Sequence, residues 1–216
     1  MDNYIEINKK AYNQFASQHK QRHVKISRYD LTDENWIKLL TEKLLKPNIQ
    51  NKVLEIGPGT GRMLGIFEKK LNCKTVAVEL SEEMIKYAKE ESPNTIYINE
   101  NILNVKFEEN SFDAIFMGAL IHNFPKEDVN KLLKLVYKWI KPDGKVLIYT
   151  TIHEKSEEGF YEKADYSGNI VRFRKKFTEE ELKNTVKKIG FEINHTMYTS
   201  EPDRNKNWLT YILNKR

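Results

Sequence analysis

The chain has 216 residues, 39% of them hydrophobic, with 36 Lys or Arg against 31 Asp or Glu and a net charge of +5. That is apolar material for one domain's core, and no apolar run approaches the roughly 20 residues of a membrane-spanning helix. The N-terminal MDNYIEINKK lacks the apolar stretch of a secretory signal, and the single cysteine, Cys73, excludes an intrachain disulfide or a Cys-based metal cluster, so a cytoplasmic protein is expected. Charges of both signs are mixed along the chain; the one concentrated basic run is Arg172 to Lys176, RFRKK. The surplus reads as lysine-rich surface and argues against a nucleic-acid groove.

The first 50 residues read as helices. Tyr4, Ile7, Ala11 and Phe15 recur at helical spacing, and Trp36, Ile37, Leu39, Leu40 and Leu44 form a second apolar stripe that stops before Pro47. From residue 52, short apolar runs alternate with amphipathic segments. Strands are expected at Val53–Ile56, Thr75–Glu79, Thr95–Asn99, Ala114–Met117 and Val146–Thr150, with helices at about 61–70, 82–91 and 126–140. Such alternation indicates βαβ units and a parallel sheet covered on both faces. The end of the chain breaks the rhythm. After a helix at about 178–189 come two strands, Phe191–Thr199 and Trp208–Asn214, joined by EPDRNKN, so the last strand must run antiparallel to its partner.

The strongest local signal is Val53-Leu-Glu-Ile-Gly-Pro-Gly-Thr-Gly-Arg62, a buried strand running into glycines 57, 59 and 61 before a helix. Glycine permits the tight turn and lets backbone approach a ligand. A dinucleotide fingerprint needs glycine at 62, where Arg62 stands, and the phosphate-cradling G-x-x-x-x-G-K-[ST] is absent. About 20 residues on, Glu79 ends the second strand, where a carboxylate can accept from both hydroxyls of a ribose. A nucleoside without a phosphate chain fits both features; a solvated strand end is the alternative for Glu79 alone. Ser81 is a plausible N-cap for the helix that follows.

With these motifs in hand, the chain resembles the class I S-adenosylmethionine-dependent methyltransferases, most closely the small-molecule group that includes ubiquinone- and menaquinone-biosynthesis enzymes. The resemblance runs motif by motif over residues 50–150. LEIGPGTGR resembles the family's first motif, Glu79 its ribose-binding acid, and the segments Asn99–Phe107 and Ser111–Phe116 its third and fourth motifs. It implies a Rossmann-like, seven-stranded, mostly parallel α/β sheet with an antiparallel C-terminal hairpin, helices on both faces and an N-terminal helical lid. It also implies S-adenosyl-L-methionine as cofactor, held by Glu55, Gly57, Pro58 and Gly59 at the first motif and by Glu79, Leu80 and Met84 after the second strand. Asn101 and Ile102 would meet the adenine, with Asn101 where the family commonly has aspartate. Met117 and Gly118 would border the methionine end, and Tyr12 would either pack or cover the sulfonium.

A single domain is expected: a lid at 1–45, a cofactor-binding core at 50–150, a substrate cap at 151–177 and a helix and hairpin at 178–216. The activated sulfonium removes the need for an enzyme nucleophile; the protein must align an acceptor N, O, S or C atom and exclude water. The Asn/Asp-Pro-Pro-Tyr/Phe of nucleobase amine methyltransferases is replaced by Met117-Gly-Ala-Leu, Cys73 reads as a packed thiol, and no cluster has metal-ligand spacing. A small-molecule acceptor is therefore expected, with an RNA or protein methyltransferase or a non-catalytic cofactor-binding module as alternatives. Acceptor contacts are expected from Tyr4, Phe15, His122, His153, Tyr161, Arg172 and Arg174, with core packing at helical spacing the stronger reading for Phe15. The two arginines alternate with Val171 and Phe173, so a strand would set both on one face, there to bind an acidic group or to be solvated. His122 and His153, after the fourth and fifth strands, are candidate general bases, each with a structural role as the alternative.

Overall fold

The computed structural model describes residues 3–23, 32–163 and 166–215. Two helices precede the sheet, α1 (Tyr4–His23) and α2 (Asp33–Leu39). The second starts under Thr32, whose hydroxyl accepts from the Asn35 N–H at 3.2 Å, and runs on as a π-helical turn over Leu40–Leu44. Strand and helix then alternate as the periodicity predicts: β1 (Lys52–Ile56), α3 (Arg62–Gly65), β2 (Lys74–Glu79), α4 (Glu82–Glu91), β3 (Ile96–Asn99), β4 (Phe112–Gly118), α5 (Lys126–Trp139) and β5 (Ile140–Ile152). A two-stranded antiparallel ribbon follows, β6 (Glu157–Glu162) with β7 (Val171–Lys176), then α6 (Glu179–Ile189), β8 (Phe191–Glu201) and β9 (Lys206–Lys215).

The main sheet has the order β3-β2-β1-β4-β5-β9-β8. The first five strands pair in parallel, and β9 runs antiparallel to both β5 and β8, so the expected antiparallel hairpin closes a Rossmann-like sheet. The period of two sorts each central strand between two cores. Leu54, Ile115, Met117, Val146 and Ile148 face a layer built from α5 and α6; Val53, Ala114, Phe116, Leu147 and Tyr149 face Trp36, Leu40 and Leu44 of the α2 segment. Val129, Leu132, Leu133 and Val136 of α5 are fully buried, which is why that segment must be a helix with one apolar stripe.

Two boundaries differ from expectation. β5 begins at Ile140, six residues early: Phe112 pairs with Ile140 and Ala114 with Lys145, and an irregularity in the ladder absorbs the Pro142-Asp143-Gly144 bend. The loop between the last strands shrinks to a 3-10 turn, Pro202–Arg204, because Asn205 takes the left-handed conformation at φ 47° and lets β9 start at Lys206.

What positions the site is how α1 is tied down. The Asn8 amide donates to the Asn123 carbonyl at 3.0 Å, and its Oδ1 accepts from the Phe173 N–H at 2.8 Å, so one buried side chain joins the lid to the loop after β4 and to the ribbon. Farther along α1, Gln14 and Gln18 reach the Gly168 and Ser167 carbonyls, and His19 Nδ1 lies 2.7 Å from the Tyr166 hydroxyl.

Candidate active site

The carboxyl ends of β1, β2 and β4 open into a cavity of about 320 Å³, roofed by α1 and by the β6–β7 ribbon. In an open α/β sheet this end is where loops are free to bind a ligand. Its floor is the glycine turn. Gly57 (φ 70°) and Gly59 (φ 56°) adopt the left-handed conformation that favours glycine, and beyond Gly59 a side chain would meet only His19, at 3.5 Å. Gly61 (φ 86°) has a different reason: a Cβ there would lie 2.6 Å from the Ala88 Cα, so it seats α3 against α4 and does not serve a ligand.

Two buried carboxyls stand beside this turn. Glu79 accepts from the Gly59 N–H at 3.1 Å and from the Ser81 N–H at 2.9 Å, fastening the glycine turn to the end of β2. Burial nevertheless outweighs these bonds and pushes its pKa up to about 6. Glu55 is pushed up to about 8 by burial and by the Glu79 charge, and its Oε2 is buried without a hydrogen-bond partner. A buried orphan acceptor on a cavity wall marks a place for a donor from a ligand. These features fit a nucleoside that also carries a cationic amine: an acid at the strand tip, a left-handed glycine turn over which a side chain at Gly59 would meet only the His19 ring, and an unpartnered carboxyl.

Of the residues expected from sequence, Glu55, Gly57, Pro58, Gly59, Glu79, Leu80, Asn101, Ile102, Gly118, Tyr12, Tyr4, Phe15, His122, Arg172 and Arg174 are brought together on this cavity. Some are committed locally. Asn101 Oδ1 accepts from the Leu103 N–H at 3.1 Å, and the Tyr4 hydroxyl donates to Asp128 at 2.6 Å. Phe15 stacks on Tyr166 with centroids 4.6 Å apart, packing and lining at once.

Four expected residues, Met84, Met117, His153 and Tyr161, are not among those lining the cavity. Met84 is buried under α1 with Ala11, Phe15 and Ala16, because its place in α4 turns it toward the lid. Met117 points into the α5 core, one residue out of phase with the lining Phe116 and Gly118. His153, half-buried, meets Thr151 at 3.3 Å, and Tyr161 lies under the Lys176 ammonium at 4.6 Å; neither lines the cavity.

His122 sits in the 3-10 turn Ile121–Asn123 that leaves β4, buried, with Nδ1 3.0 Å from the Thr150 hydroxyl. Burial holds its pKa well below the usual histidine value, and the nearby charges of Arg174, Arg172, Lys163 and Lys206 push the same way. The imidazole is therefore neutral at pH 7. Arg172 donates to the Tyr12 hydroxyl at 3.0 Å and Arg174 to the Thr151 hydroxyl at 2.9 Å. The basic run is thus turned inward: the last two members pair with neighbours, Lys175 with Glu181 at 3.2 Å and Lys176 with Glu157.

The cavity also has an aromatic wall that sequence reasoning missed. Trp208 stacks on Tyr149 at 4.4 Å, and Trp36 meets Tyr149 and Phe116 edge-on at 5.5 and 5.7 Å. Trp36 and Trp208 are 172 positions apart, so no local spacing reports their meeting. Lys206 and the Glu201–Arg204 ion pair, 2.7 Å, reach the cavity from the same hairpin. Among the described residues, no group of three or more His, Cys, Asp or Glu side chains is arranged to hold a metal ion, and no helix is long and apolar enough to cross a membrane.

Residues 54–148 match the protein family described as Methyltransferase domain. The chain is 32% identical over 114 residues to phosphoethanolamine N-methyltransferase of Plasmodium falciparum, covering 50% of this chain and 43% of that protein. It is 31% identical over 138 residues to the ubiquinone/menaquinone biosynthesis C-methyltransferase UbiE of Rickettsia prowazekii, covering 58% and 54%. The chain thus spans about half the length of these two curated relatives. Among solved structures, a DhpI–SAH complex superposes with a TM-score of 0.74 at 19% identity, covering 100% of this chain and 98% of that one. A 1,6-didemethyltoxoflavin-N1-methyltransferase of Burkholderia thailandensis, solved with its substrate and S-adenosylhomocysteine, gives 0.69 at 18% identity, covering 94% and 86%. At these identities the likeness is one of fold.

Proposed function

We propose that this chain, a member of the class I S-adenosylmethionine-dependent methyltransferases, transfers a methyl group from S-adenosylmethionine to a small-molecule acceptor. The observation that carries the reading is that one cavity joins a glycine turn bonded to a buried strand-tip acid with the arginines of the ribbon and the aromatic wall. S-adenosylmethionine supplies a methyl group already activated by its sulfonium. The chain's own residues bind, orient and exclude water.

Glu79 would accept from the ribose hydroxyls, and the Gly57–Gly59 backbone, Pro58 and Leu80 would contact the nucleoside. Asn101 and the Ile102 N–H would meet the adenine. Glu55, ionised opposite an ammonium, would bind the amine end, beside Gly118. Tyr12 would close from the lid, while Met84 and Met117 support the wall from behind. Segments 1–45 and 151–177 cover the acceptor within a single domain, in the cytoplasm. His122, neutral and buried on the acceptor side, is the candidate to take a proton from an acceptor that carries one.

A small molecule is favoured over RNA because the one concentrated basic run does not form an exposed face: Arg172 is 7% exposed and Lys175 4%. Calorimetry with S-adenosylhomocysteine, followed by transfer of labelled methyl into a metabolite extract, a tRNA fraction and a protein fraction, tests the reading. Binding together with label in the metabolite fraction supports it. Absence of binding at millimolar ligand overturns it, and label confined to RNA or protein moves the acceptor to that class. Binding without label in any fraction favours a cofactor-binding module.

A further inference from the structure

We infer that the acceptor bears a compact oxyanion, a carboxylate or a phosphoryl group, and that Arg172 on the ribbon is its principal anchor. This rests on the methyl-transfer reading and names the substrate class for the same site. Arg172 is 7% exposed and lines the cavity, yet its guanidinium has no carboxylate within ion-pair distance among the described residues. Its hydrogen bond goes to a neutral phenol, Tyr12, at 3.0 Å. Burying a cation away from water carries a large desolvation penalty unless a partner compensates, so proteins seldom leave one unpaired without a ligand to meet it.

Two further cations share its cavity. Arg174, one same-face step along β7, donates to the Thr151 hydroxyl, and Lys206 enters the same cavity from the start of β9. These three cations line one cavity with His122, whose pKa is lowered first by burial and then by the charges of Arg174, Arg172, Lys163 and Lys206. A guanidinium offers paired N–H donors that match the two oxygens of a carboxylate or phosphoryl group, and two such residues with an ammonium suit an anion better than a neutral or cationic head. The arrangement also fixes direction. With its anionic end held at the ribbon and β9, the acceptor's reactive atom is left to face His122 and the glycine turn.

The test is calorimetric titration of the full chain with inorganic phosphate and, separately, with acetate, both with and without saturating S-adenosylhomocysteine. The same titrations are run on R172Q and, because Arg172 is buried, on the more exposed K206Q. Wild type is expected to bind at least one anion. R172Q should lose at least about tenfold in anion affinity, the loss of charge-assisted hydrogen bonds, and K206Q a smaller amount, with S-adenosylhomocysteine affinity within twofold of wild type. Phosphate binding alone assigns a phosphoryl acceptor, and acetate binding alone a carboxylate. If R172Q does not fold, an anion affinity lowered in folded K206Q supports the site, and one equal to wild type overturns it. Anion affinity equal to wild type in folded R172Q also overturns it. Weakened S-adenosylhomocysteine with unchanged anion binding would return Arg172 to the cofactor. Failure of both anions while S-adenosylhomocysteine binds overturns the oxyanion site and leaves the methyl-transfer reading standing; failure of S-adenosylhomocysteine itself overturns that reading instead.

Discussion

Glu55 pairs in register with Ala77 on the neighbouring parallel strand, which sets Glu79 one same-face step beyond it, and the two carboxyls share a buried site at the strand ends. Burial raises both, Glu55 to about 8 and Glu79 to about 6, with the Glu79 charge adding to the rise at Glu55. In the ligand-free protein the native state therefore keeps protons that the unfolded chain has lost above its ordinary glutamate pKa of 4.5. The stability these two carboxyls contribute therefore falls as pH rises from about 4.5 to 8, Glu79 only below about 6. The depressed His122 acts in the opposite sense below 6.5 and cancels between wild type and E55Q. E55Q removes the longer limb. Urea unfolding at pH 5 and pH 8.5 should show the variant gaining on wild type by a few kcal/mol at the higher pH, because each pH unit between the unfolded and native pKa is worth about 1.4 kcal/mol. A difference between the proteins that stays constant across the window would refute the assignment.

Glu79 is expected to hold the cofactor's ribose while fastening the glycine turn. E79A should lose at least about tenfold in affinity for S-adenosylhomocysteine at pH 8, since hydrogen bonds to a charged group contribute roughly 1.5–3 kcal/mol each. The raised pKa adds a second signature. Wild-type affinity should decline on acidification through about pH 6, whereas that of E79A should not share this step. Calorimetry across pH 5 to 8 reads both, and unchanged affinity in folded E79A would sink the role.

How far these residues were legible in the sequence depends on how local their signals are. Glu79 and the glycine turn lie in one βαβ unit, so spacing brought them together, while the family resemblance added Glu55. The alternation in Arg172–Lys175 likewise put two arginines on one face of a strand, and the structure turns that face inward. Spacing did not say that Met117 lies out of phase with the cavity, since a fully buried parallel strand is apolar on both sides. Nor could it bring Trp36, Tyr149 and Trp208 together, because their contacts depend on the order of strands across the sheet. Asn8, which stitches the lid shut, reads as an ordinary polar helix residue; only the backbone groups of Asn123 and Phe173 that it meets reveal its role.

Gly61 gives a prediction about the fold. Alanine there must take φ 86° and place a Cβ 2.6 Å from the Ala88 Cα and 3.0 Å from the Ala88 carbonyl. Left-handed strain contributes of order 1–3 kcal/mol, and the clash adds to it. G61A should therefore destabilise by at least about 2 kcal/mol in denaturant unfolding. A88G should not rescue it, because two of the three crowding atoms are backbone. Rescue by A88G would mean that the side-chain contact, not the approach of the two helices, sets the requirement.

His122 yields the sharpest kinetic test, because the same cations that would hold an anionic acceptor lower its basicity. In the free enzyme, burial and the charges of Arg174 and Arg172 keep the imidazole deprotonated, so the acidic limb of kcat/KM should fall below pH 6.5. An oxyanion seated among the arginines offsets their field, and the imidazole's pKa must then rise. The limb in kcat, which reports the loaded enzyme, should accordingly lie at higher pH than the limb in kcat/KM. H122A should lower kcat by roughly 10²–10⁴-fold, the range for loss of a general base, with S-adenosylhomocysteine affinity little changed. With S-adenosylmethionine saturating, so that the Glu79 titration does not enter, both limbs should be absent in that variant. A fall in S-adenosylhomocysteine affinity with kcat retained would make His122 a cofactor contact. Coincident limbs in wild type would mean that the acceptor brings no charge to the arginines, while retained turnover in H122A would point to an acceptor that reacts without an enzyme base.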